Sequence, residues 1–392
     1  MPFRATGRTR VIALAAALVV LGLAAAPAGA APAPASPVPE CSAATGGASA
    51  PDARALCGAL AGLPDGDATA ALVRVGGTDG TWRGGAGVRD LPSGRAAHPD
   101  ALFRAGSTTK AVTAAVVLQL AAEGRVDLGG PARAYLPGLL PARFRHVTVR
   151  QLLNHTSGIP AGDAFGDSFE EAYAHRFDTL TPQELVASAV AKGPEFAPGR
   201  RQHYLNINYT LLGLLVEEVT GRPYESEAAR RVLRPAGMRH TYFPGADPRI
   251  DGPHNRGYQA VPRADGGRRF VDVTEWNSSG SWAAGDMIST TADLERLVTH
   301  LFRGDLVPRP QLREMFTLPR GVSGATLSAG LQRTVIDGEE YWGKSGARYG
   351  YGTAMAATRD LSRTVVYSVN ATDAKGEGMN PVAERIVMAA VR

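Results

Sequence analysis

Apolar positions along this chain fall into two rhythms, one of period two near the ends and one of three to four through the middle. Ala70 to Gly76, with its Leu72-Val73-Arg74-Val75 core, and Thr81 to Val88 predict two strands joined by the turn Gly77-Thr78-Asp79-Gly80. Val112, Ala115, Val116, Leu118, Leu120 and Ala121 then predict a buried helix, set off by Gly106 before it and Gly124 after it. Helical patterns follow at Thr148 to Leu153, Pro182 to Ala191 and Tyr209 to Val219, the last stopped by Gly221. Strand patterns return at Ala329 to Ile336, Glu340 to Gly343, Tyr351 to Thr358 and Thr364 to Asn370, and Pro381 to Val391 closes the chain as a helix. Strands at both ends with helices between them imply an α/β (α+β) fold. One antiparallel sheet is built from both chain ends and flanked by helices, with a mostly helical lobe inserted over about 130–280. The chemistry is then expected in the seam between the lobes.

The first residues are of a different kind. Arg4, Arg8 and Arg10 form a positive region, Val11 to Ala26 an apolar one, and Ala28-Gly29-Ala30 a cleavage site, so residues 1–30 read as a secretory signal peptide. A retained membrane anchor would need about 20 apolar residues. No later segment is long and apolar enough to span a membrane, and no small-residue box leads into Cys41 for lipid attachment. Residues 31–50, rich in Ala, Pro, Ser and Gly, read as a flexible linker, leaving 51–392 as the working domain. Cys41 and Cys57 are the only cysteines, and in an exported protein they form either one disulfide or two free thiols.

Composition narrows the function. Of 392 residues 44% are hydrophobic and 20% charged, and the net charge of +5 suggests mild attraction to anionic surfaces such as cell wall. The arginines are scattered without interleaved aromatics, which argues against nucleic acid. Among 42 basic residues only Lys110, Lys192, Lys344 and Lys375 are lysines. Arginine supplies charge but does not deprotonate, so a lysine in this chain marks a position where an amine is needed. G-x-S-x-G, H-E-x-x-H and C-x-x-C do not occur, which removes nucleophile-elbow hydrolases, zincins and thioredoxin-like readings; no metal or cofactor is expected.

Ser107-Thr108-Thr109-Lys110 sets a hydroxyl and an amine three residues apart where the first helix begins, so that the two side chains face one another. A desolvated lysine at that place loses its proton near neutral pH and serves as a base for the serine. Tyr204-Leu205-Asn206 stands just before the helix that starts near Asn208. A tyrosine beside cations is expected to have a lowered pKa and to act as a base, and an asparagine amide can hold a substrate carbonyl and a lysine. Lys344-Ser345-Gly346 lies at a strand that can pair with a substrate amide, Gly346 permitting close approach. The N–H groups of Ala347 and Ser107 would form an oxyanion hole.

These three elements, in this order, resemble the penicillin-recognising serine hydrolases, which comprise the penicillin-binding DD-peptidases and the serine β-lactamases. Phe103-Arg104-Ala105-Gly106-Ser107, Gln151-Leu152-Leu153-Asn154-His155-Thr156-Ser157-Gly158 and Asn208-Tyr209-Thr210-Leu211-Leu212-Gly213 extend the resemblance from about Ala70 to the C-terminus. Leu136 to Leu140 and His146-Val147-Thr148-Val149-Arg150 look closest to secreted actinobacterial D-alanyl-D-alanine carboxypeptidases.

The resemblance implies a β-lactamase-like fold and an exported monomer acting on peptidoglycan stem peptides and acylated by β-lactams. Ser107 would be the nucleophile, Lys110 or Tyr204 its base, and Asn206, Lys344, Ser345, Gly346 and Ala347 the substrate and oxyanion contacts. Lys344 in place of the carboxypeptidases' frequent histidine, and Ser345 in place of threonine, keep a β-lactamase, esterase or D-amino-acid amidase open as alternatives. A binding module for wall peptides without turnover is a third. The family's carboxylate-binding arginine is expected near Arg333 or Gln332. His155 resembles a structural turn, and Trp282 is either pocket wall or packing.

Overall fold

The computed structural model describes residues 37–392, so the expected signal peptide and residues 31–36 lie outside the described range. The strands are β1 (Glu40–Cys41), β2 (Thr45–Gly46), β3 (Ala68–Gly76), β4 (Gly80–Gly87), β5 (Phe103–Arg104), β6 (Tyr258–Pro262), β7 (Arg268–Asp272), β8 (Ile288–Ser289), β9 (Gln332–Ile336), β10 (Glu339–Arg348), β11 (Tyr351–Thr358) and β12 (Thr364–Ala371). The helices are α1 (Ala53–Ala59), α2 (Thr109–Ala122), α3 (Val149–Leu153), α4 (Phe169–Ala174), α5 (Pro182–Ala191), α6 (Ile207–Thr220), α7 (Tyr224–Ala228), α8 (Trp282–Gly285), α9 (Thr291–Arg303), α10 (Arg309–Leu312) and α11 (Pro381–Ala390).

The main sheet runs β1-β4-β3-β12-β11-β10-β9, with β2 also paired to β4. Its centre joins the two chain ends, Leu72 of β3 lying opposite Ser368 of β12 in an antiparallel register. Alternate residues of β12 serve opposite faces, as the pleat requires. Val365, Tyr367 and Val369 pack with Leu56 of α1 and with Val382 and Ile386 of α11, whereas Val366 joins Val112, Leu294 and Leu301 on the other face. The result is a sheet between a thin helical cover and a thick helical lobe, the arrangement expected from strands at both ends.

Local chemistry fixes the lobe's helices. Thr148, Ser168 and Thr181 cap α3, α4 and α5, each in a reciprocal box with Gln151, Glu171 or Glu184. Gly221 ends α6 in a left-handed conformation. The expected linker needs correction over 37–50. Within it, β1 and β2 both pair with β4, and the Cys41–Cys57 disulfide ties β1 to α1. Ala, Pro and Ser content does not prevent pairing where an edge strand supplies the hydrogen-bond partners. The lobe also carries a hairpin, β6–β7, which polar residues such as Arg268 and Arg269 hide from period-two reading. α9 was likewise not anticipated, although Leu294, Leu297, Val298 and Leu301 repeat at helical spacing between a Thr290 cap and Gly304.

Candidate active site

Ser107 sits in a single 3-10 turn, Gly106–Thr108, and α2 starts at Thr109, slightly later than expected. The turn preserves the facing of positions 107 and 110. Lys110 Nζ lies 3.2 Å from Ser107 Oγ, 2.7 Å from Asn206 Oδ1 and 2.7 Å from the Ala284 carbonyl. Lys110 is fully buried, and burial, followed by the charges of Lys344, Lys375 and Arg348, holds its pKa well below the usual lysine value. A neutral amine has two N–H donors and one lone pair. Two carbonyl acceptors use the donors, leaving the lone pair for the Ser107 proton.

Tyr204 and Asn206 precede α6. Asn206 occupies the helix N-cap, but its side chain serves Lys110 rather than the helix backbone. The Lys110 and Lys344 amines stand over the Tyr204 ring at 4.9 Å and 4.8 Å from its centre. The expected lowering of the Tyr204 pKa is corrected: burial pushes it up to about 12, only partly offset by its hydrogen bond with Ser107. Tyr204 is therefore a phenol, better suited to donate a proton than to take one. His155 sits between the rings of Tyr204 and Tyr209, at 4.6 Å and 5.2 Å, with a positive φ of 61°. Burial keeps it neutral, so it holds the Tyr204 ring in place, as its reading as a structural turn implied.

Lys344, Ser345, Gly346 and Ala347 lie on β10. β9 accompanies that strand only as far as Gln332 opposite Gly343, so from Lys344 onward this edge of β10 has no partner strand among the described residues. Burial lowers the Lys344 pKa to about 8, and its amine donates to the Ser345 carbonyl. The two expected oxyanion donors meet across two glycines. A Cβ on Gly346 would stand 2.9 Å from the Ser107 nitrogen and 2.0 Å from the Ala105 carbonyl, and one on Gly106, at φ +54°, would stand 2.8 Å from the Ala347 nitrogen. A cavity of about 550 Å³ is lined by Ser107, Tyr204, Gln332, Lys344, Ser345 and Ala347 among others.

Arg333 is not the expected carboxylate ligand. Its guanidinium pairs with Glu340, while its neighbour Gln332, on the opposite face of β9, lines the cavity. Trp282 packs rather than walls the pocket: its ring lies against Tyr224 and its indole N–H donates to Glu225. Sequence reasoning missed Arg348 and Lys375, whose charges both reach Lys110. The signals were available. Arg348 shares the face of Lys344 and Gly346 by strand parity, and Lys375 is one of only four lysines, three of which converge here. No cluster of His, Cys, Asp or Glu among the described residues has metal-ligand geometry, and no described helix is long and apolar enough to cross a membrane.

Comparison with known proteins places this geometry. The beta-lactamase family model matches residues 45–387. Penicillin-binding protein 4* of Bacillus subtilis is 26% identical over 295 residues, covering 72% of this chain and 64% of that protein. The chain spans about half to two thirds of the length of such curated relatives. Among solved structures, a D-stereospecific amidohydrolase from Streptomyces superposes with a TM-score of 0.75 at 34% identity, covering 87% of this chain and 98% of that one. D-amino acid amidase from Ochrobactrum anthropi SV3, complexed with L-phenylalanine, does so at 0.71 and 26% identity, covering 86% and 98%. The chain belongs to the beta-lactamase family and is a serine hydrolase of the β-lactamase and penicillin-binding protein fold.

Proposed function

We propose that this protein is an exported D-alanyl-D-alanine carboxypeptidase that forms an acyl-enzyme on Ser107 and is acylated by penicillins. The observation that carries this reading is the approach of Lys110 Nζ to Ser107 Oγ, 3.2 Å, beside the unpaired edge of β10. The substrate's acyl portion would lie along that edge as an added strand. Lys110 takes the proton of Ser107 as Oγ bonds to the scissile carbonyl carbon, and the N–H groups of Ser107 and Ala347 receive the oxyanion. As the C–N bond breaks, Tyr204 gives its proton to the leaving nitrogen and is refilled from Lys110; Lys344 supplies positive potential. Water then attacks the ester by the same path in reverse, releasing the shortened peptide. Delivery to the cell-wall space by residues 1–30 belongs to the same proposal.

A second reading, hydrolysis of free D-amino-acid amides, draws on the likeness to the Streptomyces D-stereospecific amidohydrolase. Both readings use one acyl-enzyme and a D-configured substrate, and differ in what flanks the scissile bond. Incubating the mature protein with diacetyl-Lys-D-Ala-D-Ala, D-phenylalanine amide and nitrocefin separates them. Rapid D-alanine release with a long-lived penicillin adduct is the expected outcome. Ammonia release from the amide without D-alanine release would replace the first reading by the second, and fast nitrocefin turnover would make the protein a β-lactamase.

A further inference from the structure

Tyr204 is placed by less local structure than the groups it works with. Ser107 and Lys110 lie one turn apart, and the Lys110 amine is held by Asn206 and by the Ala284 carbonyl. Tyr204 stands on an irregular stretch, residues 201–205, that belongs to no helix or strand. Its phenol must nevertheless come within hydrogen-bond reach of a leaving nitrogen.

One side chain ties that stretch to its surroundings at four points. Gln202 Nε2 donates to the Asn154 carbonyl and to the Leu327 carbonyl, both at 2.8 Å, while Oε1 accepts from the Thr326 N–H at 2.9 Å and from the Leu327 N–H at 3.0 Å. A side-chain amide has two donor hydrogens and two acceptor lone pairs, so its capacity is filled. Turned over, it would set its oxygen against two carbonyls and its NH2 against two N–H groups, so only one orientation fits.

Each partner leads back to the site. Asn154 precedes His155, whose ring packs against Tyr204 and whose carbonyl accepts from the His203 N–H at 2.9 Å. Thr326 and Leu327 form the outer leg of a hairpin, in which the Arg333 N–H donates to the Thr326 carbonyl at 2.8 Å and Leu327 lies opposite Gln332. That pairing turns the N–H and C=O of Leu327 away from β9, and Gln202 takes both, as a neighbouring strand would. The hairpin tip rests on α2, where a Cβ on Gly330 would stand 3.1 Å from the Lys110 carbonyl. Its inner leg begins β9, with Gln332 opposite Gly343 beside the unpaired edge of β10. Gln202 thus joins the Tyr204 stretch both to the Lys110 turn and to the strand that borders the substrate edge.

We propose that Gln202 is a positioning residue that holds Tyr204 at its working distance from Lys110 and the edge of β10, so that proton delivery to the leaving group depends on it. A misplacement of about 1 Å in such a group can cost about 10²-fold in rate. The inference rests on the proton transfer by Tyr204 proposed above, and not on the identity of the acyl group.

A leaving group that needs no proton separates positioning from general support of the fold. The test compares diacetyl-Lys-D-Ala-D-Ala with the thioglycolate thioester of the same acyl portion, in kcat/KM, on the wild type, Gln202→Leu, Gln202→Glu and Tyr204→Phe; D-phenylalanine amide and its thioglycolate thioester make an equivalent pair. The amine departs only when protonated, whereas the thiolate departs as an anion. Gln202→Leu, which removes all four bonds, should lower the amide-to-thioester ratio by about 10- to 100-fold. Gln202→Glu keeps the acceptor for Thr326 and Leu327 and should lower the ratio less, and Tyr204→Phe should lower it most. A ratio unmoved in both Gln202 variants, whether the two rates fall together or not at all, while Tyr204→Phe lowers it, would overturn this assignment alone. A ratio unmoved in Tyr204→Phe would overturn the role of Tyr204 and this assignment with it.

Discussion

Lys110 Nζ lies 3.2 Å from Ser107 Oγ while its two other short contacts are both to carbonyl oxygens, those of Asn206 and Ala284. That arrangement gives the amine a single direction in which to accept a proton. Replacing Lys110 by Arg puts a fixed cation in place of the proposed neutral base. The expected loss in kcat/KM is about 10²- to 10⁴-fold, the usual range for a positioned general base. Stopped acylation with unchanged far-ultraviolet dichroism checks it; retention of wild-type rates would remove Lys110 from the chemistry.

The pH profile should be bell-shaped and shifted from ordinary lysine titration. In the proposed mechanism, activity requires Lys110 neutral and Lys344 charged. The Lys110 pKa is strongly depressed by burial, so kcat/KM rises with pH well below the usual lysine range. Lys344, lowered to about 8, loses its charge above that value, so the alkaline limb should fall near pH 8. Tyr204, at about 12, stays protonated throughout. A single rise centred near the pKa of a solvated lysine would contradict these roles.

Gly346→Ala should disable acylation without abolishing the fold of either lobe. The added Cβ would meet the Ala105 carbonyl at 2.0 Å and the Ser107 nitrogen at 2.9 Å, forcing the two proposed oxyanion donors apart. Losing one such donor costs about 10²- to 10³-fold in kcat. Single-turnover kinetics with a chromogenic ester would read it, and near-normal rates would place the oxyanion elsewhere.

Much of this site was legible because its parts obey local rules. The spacing of Ser107 and Lys110, and the sheet joined from both chain ends, follow from periods of three to four and of two. Other features needed tertiary contact. The Tyr204 pKa goes up rather than down because burial outweighs the hydrogen bond with Ser107, and burial is not written in Tyr204-Leu205-Asn206. Arg333 and Gln332 are adjacent in sequence but face opposite sides of β9, so only the register with Gly343 decides which one reaches the cavity. The linker expectation failed at Glu40–Cys41 because pairing with β4 depends on a partner strand 43 to 45 residues away.

The Cys41–Cys57 disulfide should contribute to stability and little to turnover. It closes a loop of 16 residues far along the sheet from β10, and a loop of that length is worth about 3 kcal/mol in the chain-entropy account. Cys41→Ser with Cys57→Ser should lower the urea midpoint while leaving kcat/KM within about twofold at 25 °C. An equal midpoint for the oxidised and double-variant proteins would show that the bridge does not restrain the unfolded chain.

The covalent step itself gives the most direct test. Intact-mass analysis of the mature protein quenched after exposure to benzylpenicillin, followed by peptide mapping, should show one adduct of the antibiotic's full mass on Ser107, absent from Ser107→Ala. No adduct, or one that persists in Ser107→Ala, would contradict the account that Ser107 is the nucleophile and Lys110 its base.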